Sequence, residues 1–90
     1  MATLKIPRLY SFYTDNQMLI QLEGNTIDEL FKQLYLTHPA IEKHLLDAKG
    51  NFRRHINIFV HGENIRILEG NQTPLAPDDV ITILPNISGG

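Results

Sequence analysis

The chain has 90 residues, a hydrophobic content of 42% and a formal net charge of -2, a composition that suffices for one small domain with a single core. It contains no cysteine, which excludes a disulfide scaffold, a thiolate zinc site and a cysteine nucleophile. The slightly acidic balance gives no electrostatic basis for binding nucleic acid. No apolar stretch is long enough to cross a bilayer, and the N-terminal residues lack the order of a signal peptide. We therefore expect a cytoplasmic protein without a nucleic-acid or membrane partner.

The beginning of the chain predicts two strands joined as a hairpin. Residues 3–6 alternate between apolar and polar side chains, and Pro7 should end this strand or confine it to an edge. Residues 9–13 are aromatic-rich without a clean period, so we expect an irregular continuation that covers the rim of the core. Residues 17–23 show the clearest alternation in the chain. The inward side chains predicted for this second strand are Met18, Ile20 and Leu22.

A helix is predicted to follow, from Ile27 to Tyr35 or Leu36. Thr26 and Glu29 have the spacing of a capping box, in which each side chain accepts a hydrogen bond from the other residue's N–H. Pro39 disfavours helix at the residue before it but can open a second, shorter helix. The apolar stripe of the main helix comprises Ile27, Leu30, Phe31 and Leu34, and that of the second comprises Ile41, Leu45 and Leu46.

Two further strands are predicted after a loop. Residues 55–60 alternate, which puts Ile56, Ile58 and Val60 inward. His61-Gly62 has the character of a two-residue hairpin turn, with residues 63–67 as the returning strand. Residues 68–79 contain one glycine and two prolines, which indicates a crossing loop that includes a helical turn.

The final strand is predicted over residues 80–84, where Pro85 should stop it. A helix on one face of a mixed sheet gives each strand one buried face, which is what the alternation requires. If the last strand pairs with the first, it becomes a central strand of that sheet. The expected class is α+β, with four or five strands, one main helix and a short second helix.

The chain continues beyond this strand and finishes with Gly89-Gly90. Glycine has no Cβ, so such an end is thin enough to enter a narrow slot on another protein. An ordinary frayed terminus explains the same residues. We therefore expect a folded domain over residues 1–85 and a flexible tail over 86–90. The residues of the tail by themselves do not distinguish the two explanations.

Three stretches together resemble the ubiquitin-like β-grasp fold and, within it, the MoaD/ThiS family of sulfur carrier proteins. They are residues 55–66, residues 75–85 with their Asp-Asp-Val-x-x-Ile-x-Pro sequence, and the Gly89-Gly90 end. The length and the short second helix look most like the longer MoaD-like members, which include the carrier for cysteine synthesis. Asn86-Ile87-Ser88 departs from the small or apolar residues that many members have there, which puts in question only the fit to a given partner.

The resemblance implies a chemistry that needs only the carrier's own carboxylate. An E1-like adenylating enzyme of the MoeB/ThiF type would use ATP to adenylate Gly90, and a sulfur donor would convert the adenylate to a thiocarboxylate. Ser88 and Gly89 would lie in the enzyme's channel, and a sulfur-accepting synthase would take the sulfur. The carrier itself would bind no cofactor and would not be an enzyme.

The residues themselves offer no catalytic or metal site. His55 and His61 could approach each other across a hairpin, but neither has an acidic residue at ligand spacing. Asp78-Asp79 follows a proline and precedes a strand, which is typical of a turn rather than of paired catalytic carboxylates. The scattered glycines form no phosphate-binding loop.

A partner-docking surface is predicted instead. If the alternate residues of the last two long strands face the helix, then Phe59 and Leu84 face the other way and form an apolar patch near the tail. Leu68 is a weaker candidate for the same surface. The resemblance supports this assignment, because family members bind their activating enzyme through the open sheet face and the tail. A dimer, a loop or the Phe12 region could instead cover these side chains.

Two other functions fit the same sequence. A ubiquitin-like modifier would join Gly90 to a lysine amine of a target protein. A plain interaction domain would have a Gly-Gly end without a role. The final sulfur acceptor is also open among a molybdopterin precursor, a thiazole precursor, activated serine and a tRNA base.

Overall fold

The computed structural model describes residues 1–86. A five-stranded mixed sheet, two α-helices and four 3-10 segments make up this part of the chain. The strands are β1 (Ala2–Lys5), β2 (Leu19–Leu22), β3 (Ile56–Val60), β4 (Glu63–Asn64) and β5 (Val80–Pro85). The α-helices are α1 (Ile27–Thr37) and α2 (Glu42–Leu45), and the 3-10 segments are Arg8–Thr14, Pro39–Ile41, Ile65–Ile67 and Gly70–Gln72. The ubiquitin-like β-grasp class predicted from the sequence is confirmed.

The last strand is the centre of the sheet, whose order is β2-β1-β5-β3-β4. β5 runs parallel to β1, with Leu4 opposite Ile81, and antiparallel to β3, with Ile58 opposite Ile83. The predicted pairing of the last strand with the first is therefore confirmed. β5 is hydrogen-bonded to a neighbouring strand on both sides, so the C-terminal segment follows directly from the central strand of the sheet.

One face of the sheet packs against the helices to form the core. The predicted stripe of α1 is fully buried, and the inward residues of β3 and β5 lie beneath it. Burying a Leu or Ile side chain contributes about 1.5–3 kcal/mol, so this contact supplies much of the free energy of folding. The core side chains of these elements are Ile27, Leu30, Phe31, Leu34, Ile56, Ile58, Val60, Ile81 and Ile83.

The start of α1 follows the predicted capping box with one difference. The Glu29 N–H donates to Thr26 Oγ1 at 3.2 Å, as expected. The Glu29 carboxylate accepts from the N–H of Asn25 at 3.0 Å, one residue before the predicted donor. α1 ends at Thr37, slightly beyond the predicted end, and a 3-10 turn beginning at Pro39 leads into α2. Ile41 and Leu45 are buried as predicted, whereas Leu46 is only partly buried.

Two expectations for the N-terminal part were wrong. Residues 9–13, predicted as an irregular continuation of the first strand, belong to the regular 3-10 segment Arg8–Thr14. The segment is stable because the buried Thr14 hydroxyl donates to the Gln17 carbonyl at 2.8 Å. Met18 is 46% exposed rather than inward, because β2 begins at Leu19, two residues later than predicted, and only Ile20 and Leu22 face the core.

The predicted hairpin turn after β3 is confirmed, but its second strand is shorter than expected. His61 and Gly62 have φ angles of 56° and 76°, as a two-residue turn with both φ positive requires. β4 contains only Glu63–Asn64, because the Asn64 side chain accepts a hydrogen bond from the N–H of Arg66 at 2.9 Å and starts a 3-10 turn. The predicted helical turn of the crossing loop is present as Gly70–Gln72.

The end of β5 lies one residue beyond the predicted end. Pro85 pairs with Ile56 as the last residue of the strand, where the missing proline N–H is tolerated. The N–H of Asn86 then donates to the carbonyl of His55, so the first residue of the predicted tail is held against β3. Within residues 1–86, no helix is long and apolar enough to cross a membrane.

Candidate functional site

The outer face of the sheet presents the apolar surface that the sequence predicted. Along β5, Ile81 and Ile83 are buried against the helices, whereas Val80 is 45% and Leu84 49% exposed on the opposite face. Phe59 lies on this same outer face, opposite Thr82 in the neighbouring strand, and is partly buried rather than fully exposed. Leu84 is the diagonal neighbour of Phe59, a position within reach of an aromatic side chain. The two predicted docking residues thus belong to one patch.

This patch lies at the end of the sheet where the C-terminal segment departs. Leu84 is directly followed by Pro85 and by Asn86, the last residue that the structure describes. The predicted functional residues Ser88, Gly89 and Gly90 lie outside the described residues, so their roles remain predictions.

Leu68 lies apart from the strands of the sheet. It follows the 3-10 turn Ile65–Ile67, where its N–H donates to the carbonyl of Ile65 at 3.0 Å. Its side chain is 41% exposed, which is compatible with a contact surface. Its docking role remains a prediction.

A polar cluster beside the patch was not predicted from the sequence. Asn57 is opposite Leu84 on the outer face, and its Oδ1 accepts hydrogen bonds from Arg66 Nη1 at 2.6 Å and from Asn64 Nδ2 at 3.1 Å. Arg66 Nη2 donates to the carbonyl of Ile56 at 2.9 Å. Arg66 therefore covers the edge of β3 that the short β4 leaves open, which is a common way of protecting a sheet edge.

A second unpredicted contact joins the turn after β3 to the start of β5. His61 Nε2 lies 2.9 Å from Asp79 Oδ1, a partner 18 residues along the chain that local spacing did not indicate. Asp79 is only 7% exposed, and its Oδ2 accepts a hydrogen bond from the N–H of Ala76 at 2.7 Å. The pair forms because the register of β3 with β5 brings the two strand ends together. It stabilises the end of the sheet far from the tail.

The described part of the chain contains no group of three or more His, Asp or Glu side chains that could hold a metal ion. One buried polar group is unexplained by the fold. The Tyr35 hydroxyl has no hydrogen-bond partner among residues 1–86, and burial raises the pKa of this phenol, with the Glu42 and Asp28 carboxylates adding to the effect. Tyr35 lines a cavity of about 160 Å³ together with Phe31 and Phe52 on the helical side of the molecule.

Comparison with known proteins agrees with this geometry. The family model described as the ThiS family matches residues 8–90. Sulfur carrier protein CysO of Mycobacterium tuberculosis is 31% identical over 91 aligned positions, which cover 99% of this chain and 98% of the relative. A chain in the crystal structure of the Amycolatopsis orientalis BexX/CysO complex superposes with a TM-score of 0.92 at 27% identity, with all of both chains covered.

A third similar protein is named a modifier rather than a sulfur carrier. The solution structure of the small archaeal modifier protein 1 from Methanosarcina acetivorans has a TM-score of 0.83 at 29% identity, and the match covers 99% of this chain and 95% of that one. The sheet order, the buried helix and the open outer face define a ubiquitin-like β-grasp protein. Within that class, the chain belongs to the ThiS family.

Proposed function

We propose that this protein is a sulfur carrier that transports sulfur as a thiocarboxylate on Gly90. The observation that carries the proposal is the continuity of β5 with the Gly-Gly end. β5 is paired on both sides and has its outer face open, and the family match extends through the segment that follows it. A carrier needs this combination, because a rigid platform must present one chemically simple group to another protein.

The proposed chemistry has two steps, both at the carboxylate of Gly90. One carboxylate oxygen attacks the α-phosphate of ATP, pyrophosphate leaves, and the glycine becomes an acyl adenylate. Hydrosulfide, or a donor that supplies it, then attacks the acyl carbon; AMP leaves with the bonding electrons and a proton is released. An E1-like adenylating enzyme binds the ATP and catalyses these steps, so the carrier contributes a substrate group and no catalysis of its own.

The outer face provides the docking surface for that enzyme. Phe59 and Leu84 form its apolar centre, while Ser88 and Gly89 enter the channel that leads to the ATP. An exposed apolar patch on a small monomeric domain is a common mark of a binding site. Leu68 contributes at the margin.

The destination of the sulfur follows from the relatives. Because the aligned mycobacterial relative is a sulfur carrier named CysO, we favour cysteine synthesis in the cytoplasm, with a sulfur-accepting synthase as the second partner. The molybdopterin, thiazole and tRNA pathways use the same carboxylate chemistry and differ only in this acceptor.

Intact mass spectrometry tests the proposal directly. The chain is incubated with ATP, sulfide and an E1-like adenylating enzyme of the MoeB/ThiF type. We expect a mass gain equal to one sulfur replacing one oxygen, localised to Gly90 by fragmentation. A chain that lacks Gly90 is the control and should gain nothing. If the full-length chain shows neither the thiocarboxylate nor an adenylate, the proposal is wrong.

A second candidate function is protein modification, favoured by the likeness to the small archaeal modifier protein 1. It shares the adenylation step but transfers Gly90 to a lysine amine. Isolation of the chain from its own cells in isopeptide linkage to other proteins would support that function. Recovery of only the free chain and its thiocarboxylate would support sulfur carriage alone.

A further inference from the structure

Three of the four arginines of the chain lie in residues 53–66, around the start of β3. This is the end of the sheet where β5 finishes and the C-terminal segment departs. The ion pairs among the described residues involve Lys32, His38 and His61, and none includes Arg53, Arg54 or Arg66. These three arginines therefore cluster at one end of a chain whose formal net charge is -2.

The guanidinium of Arg66 is held in a fixed position by three contacts. Nη1 donates to Asn57 Oδ1 at 2.6 Å, and Nη2 donates to the carbonyls of Ile56 at 2.9 Å and Arg54 at 3.3 Å. An arginine has five N–H donors, so these contacts use three of them. The residue is nevertheless exposed. Arg66 is therefore a preorganised cation that can still donate to a carboxylate.

The side chain of Arg53 forms hydrogen bonds within the fold, whereas that of Arg54 does not. Arg53 donates from Nε and Nη2 to the carbonyl of Lys43, at 3.2 and 3.0 Å, and so caps α2. The exposed side chain of Arg54 makes no hydrogen bond or ion pair within residues 1–86, so the fold does not account for it. Arg54 and Arg66 are thus two exposed cations near the departing chain, and the exposed Lys5, opposite Thr82 on the outer face, is a third.

Arg66 adjoins the apolar patch, and Arg54 precedes the residue that holds the start of the C-terminal segment. Asn57, which binds Arg66, is the cross-strand neighbour of Leu84. The carbonyl of His55, the residue after Arg54, accepts the hydrogen bond from Asn86. The Arg66 guanidinium therefore lies about two strand spacings, roughly 10 Å, from the point where the C-terminal segment leaves the sheet.

We propose that Arg54 and Arg66 form a cationic margin of the docking surface and bind carboxylates on the partner that takes the C-terminal segment. The inference rests on the proposed function, because it concerns the surface that an adenylating enzyme must cover. Charges at the margin of an interface act mainly on the association rate and on its dependence on salt. The occupant is thus a protein surface with Asp or Glu side chains beside an apolar pocket.

The test compares charge-reversal variants in ATP–pyrophosphate exchange catalysed by an E1-like adenylating enzyme of the MoeB/ThiF type. For Arg54→Glu we expect the KM for the carrier to rise about 5- to 10-fold at low salt, with an unchanged KM for ATP. The difference should shrink at about 0.5 M salt, where charges are screened within a few ångströms. Lys32→Glu, on the exposed side of α1, makes the same change in net charge and should leave the KM within about twofold of wild type.

Arg66→Lys separates charge from structure. It keeps the positive charge but loses the planar guanidinium that binds the carbonyls of Ile56 and Arg54, so the melting temperature should fall while the KM stays within about twofold of wild type. An Arg54→Glu variant with unchanged KM and salt dependence would overturn the inference, provided that the wild type is adenylated. A raised KM for ATP would also overturn it, because the arginines would then bind the nucleotide. Absence of exchange with the wild type would instead count against the proposed function.

Discussion

At the scale of single residues, Leu84 is the most direct test of the docking surface. Its side chain is about half exposed on the outer face, so Leu84→Glu should lower the free energy of unfolding by only about 1 kcal/mol. Loss of an apolar contact at an interface centre should raise the KM for the carrier in adenylation at least about 10-fold. The two measurements are urea unfolding and ATP–pyrophosphate exchange.

Val80 offers a matched control for this change. It is similarly exposed on the same face of β5, but at the opposite end of the strand from the C-terminal segment. Val80→Glu should therefore leave the KM nearly unchanged. Equal effects of the two variants would mean that the patch does not centre on the tail end of the sheet.

We expect that the hydroxyl of Tyr35 can be removed without loss of stability. Its buried hydroxyl has no hydrogen-bond partner among the described residues, and a buried unpaired polar group costs about 1–3 kcal/mol. Tyr35→Phe should therefore be neutral or stabilising, as measured by urea unfolding at neutral pH. Tyr13→Phe is a control on a partly buried tyrosine and should differ from wild type by less than about 0.5 kcal/mol. A loss of more than about 1 kcal/mol in Tyr35→Phe would show that the hydroxyl has a partner.

The same residue also predicts a pH dependence. Burial raises the folded-state pKa of Tyr35 above its ordinary value of 10.0, so the folded chain keeps the phenol protonated where the unfolded chain loses it. The stability contributed by the neutral phenol is complete below pH 10 and is lost as the pH rises above that value. The stability advantage of Tyr35→Phe over wild type should accordingly grow between about pH 10 and 11, measured at matched temperature.

At the scale of elements, the joint between β2 and α1 depends on Gly24. A Cβ at this position would lie 2.6 Å from the backbone nitrogen and 2.8 Å from the Cα of Leu30, and its φ of +155° is unfavourable for other residues. Because the contact is with helix backbone, Gly24→Ala should destabilise the protein by about 2–3 kcal/mol in urea unfolding.

Gly50 provides the comparison for that variant. Its φ is +85°, but a Cβ there would meet nothing within 4 Å. Gly50→Ala should cost about 1 kcal/mol, from the backbone conformation alone. If the two variants were equally destabilised, close approach to α1 would not be the cause.

The elements also show which features a sequence can predict. α1 was predictable because Thr26 caps its start and an apolar stripe at helical spacing fixes its buried face, and β3 because its sustained alternation fixes both of its faces. The inward assignment of Met18 was wrong because alternation alone does not locate the first residue of a strand. The Arg66–Asn57 cluster could not be predicted, since it depends on how early β4 ends and leaves carbonyls of β3 open.

At the scale of the whole molecule, the predicted topology was correct because few arrangements can bury one face of every strand. A helix after the first two strands must cover the sheet, and the apolar final strand has to pair on both sides. The pairing of His61 with Asp79 is a consequence of that topology, and no local sequence pattern around either residue predicts it. The position of the apolar patch was predictable for the same reason, because register along β5 and β3 fixes both faces.

Deletion of the last two residues tests whether the domain provides stability and docking while the tail provides the reacting carboxylate. Every residue of the described hydrophobic core lies between Ala2 and Ile83, so removal of Gly89-Gly90 should leave the melting temperature within about 2 °C of wild type. The same deletion should abolish thiocarboxylate formation, because the carboxylate at its new end is flanked by a side chain and lies two residues short of the enzyme's ATP. Binding to the adenylating enzyme through Phe59 and Leu84 should persist, measured by calorimetry, and the truncated chain should act as a competitive inhibitor of the full-length carrier. If the truncated chain instead kept its full function in cells, that would favour an interaction domain over a carrier.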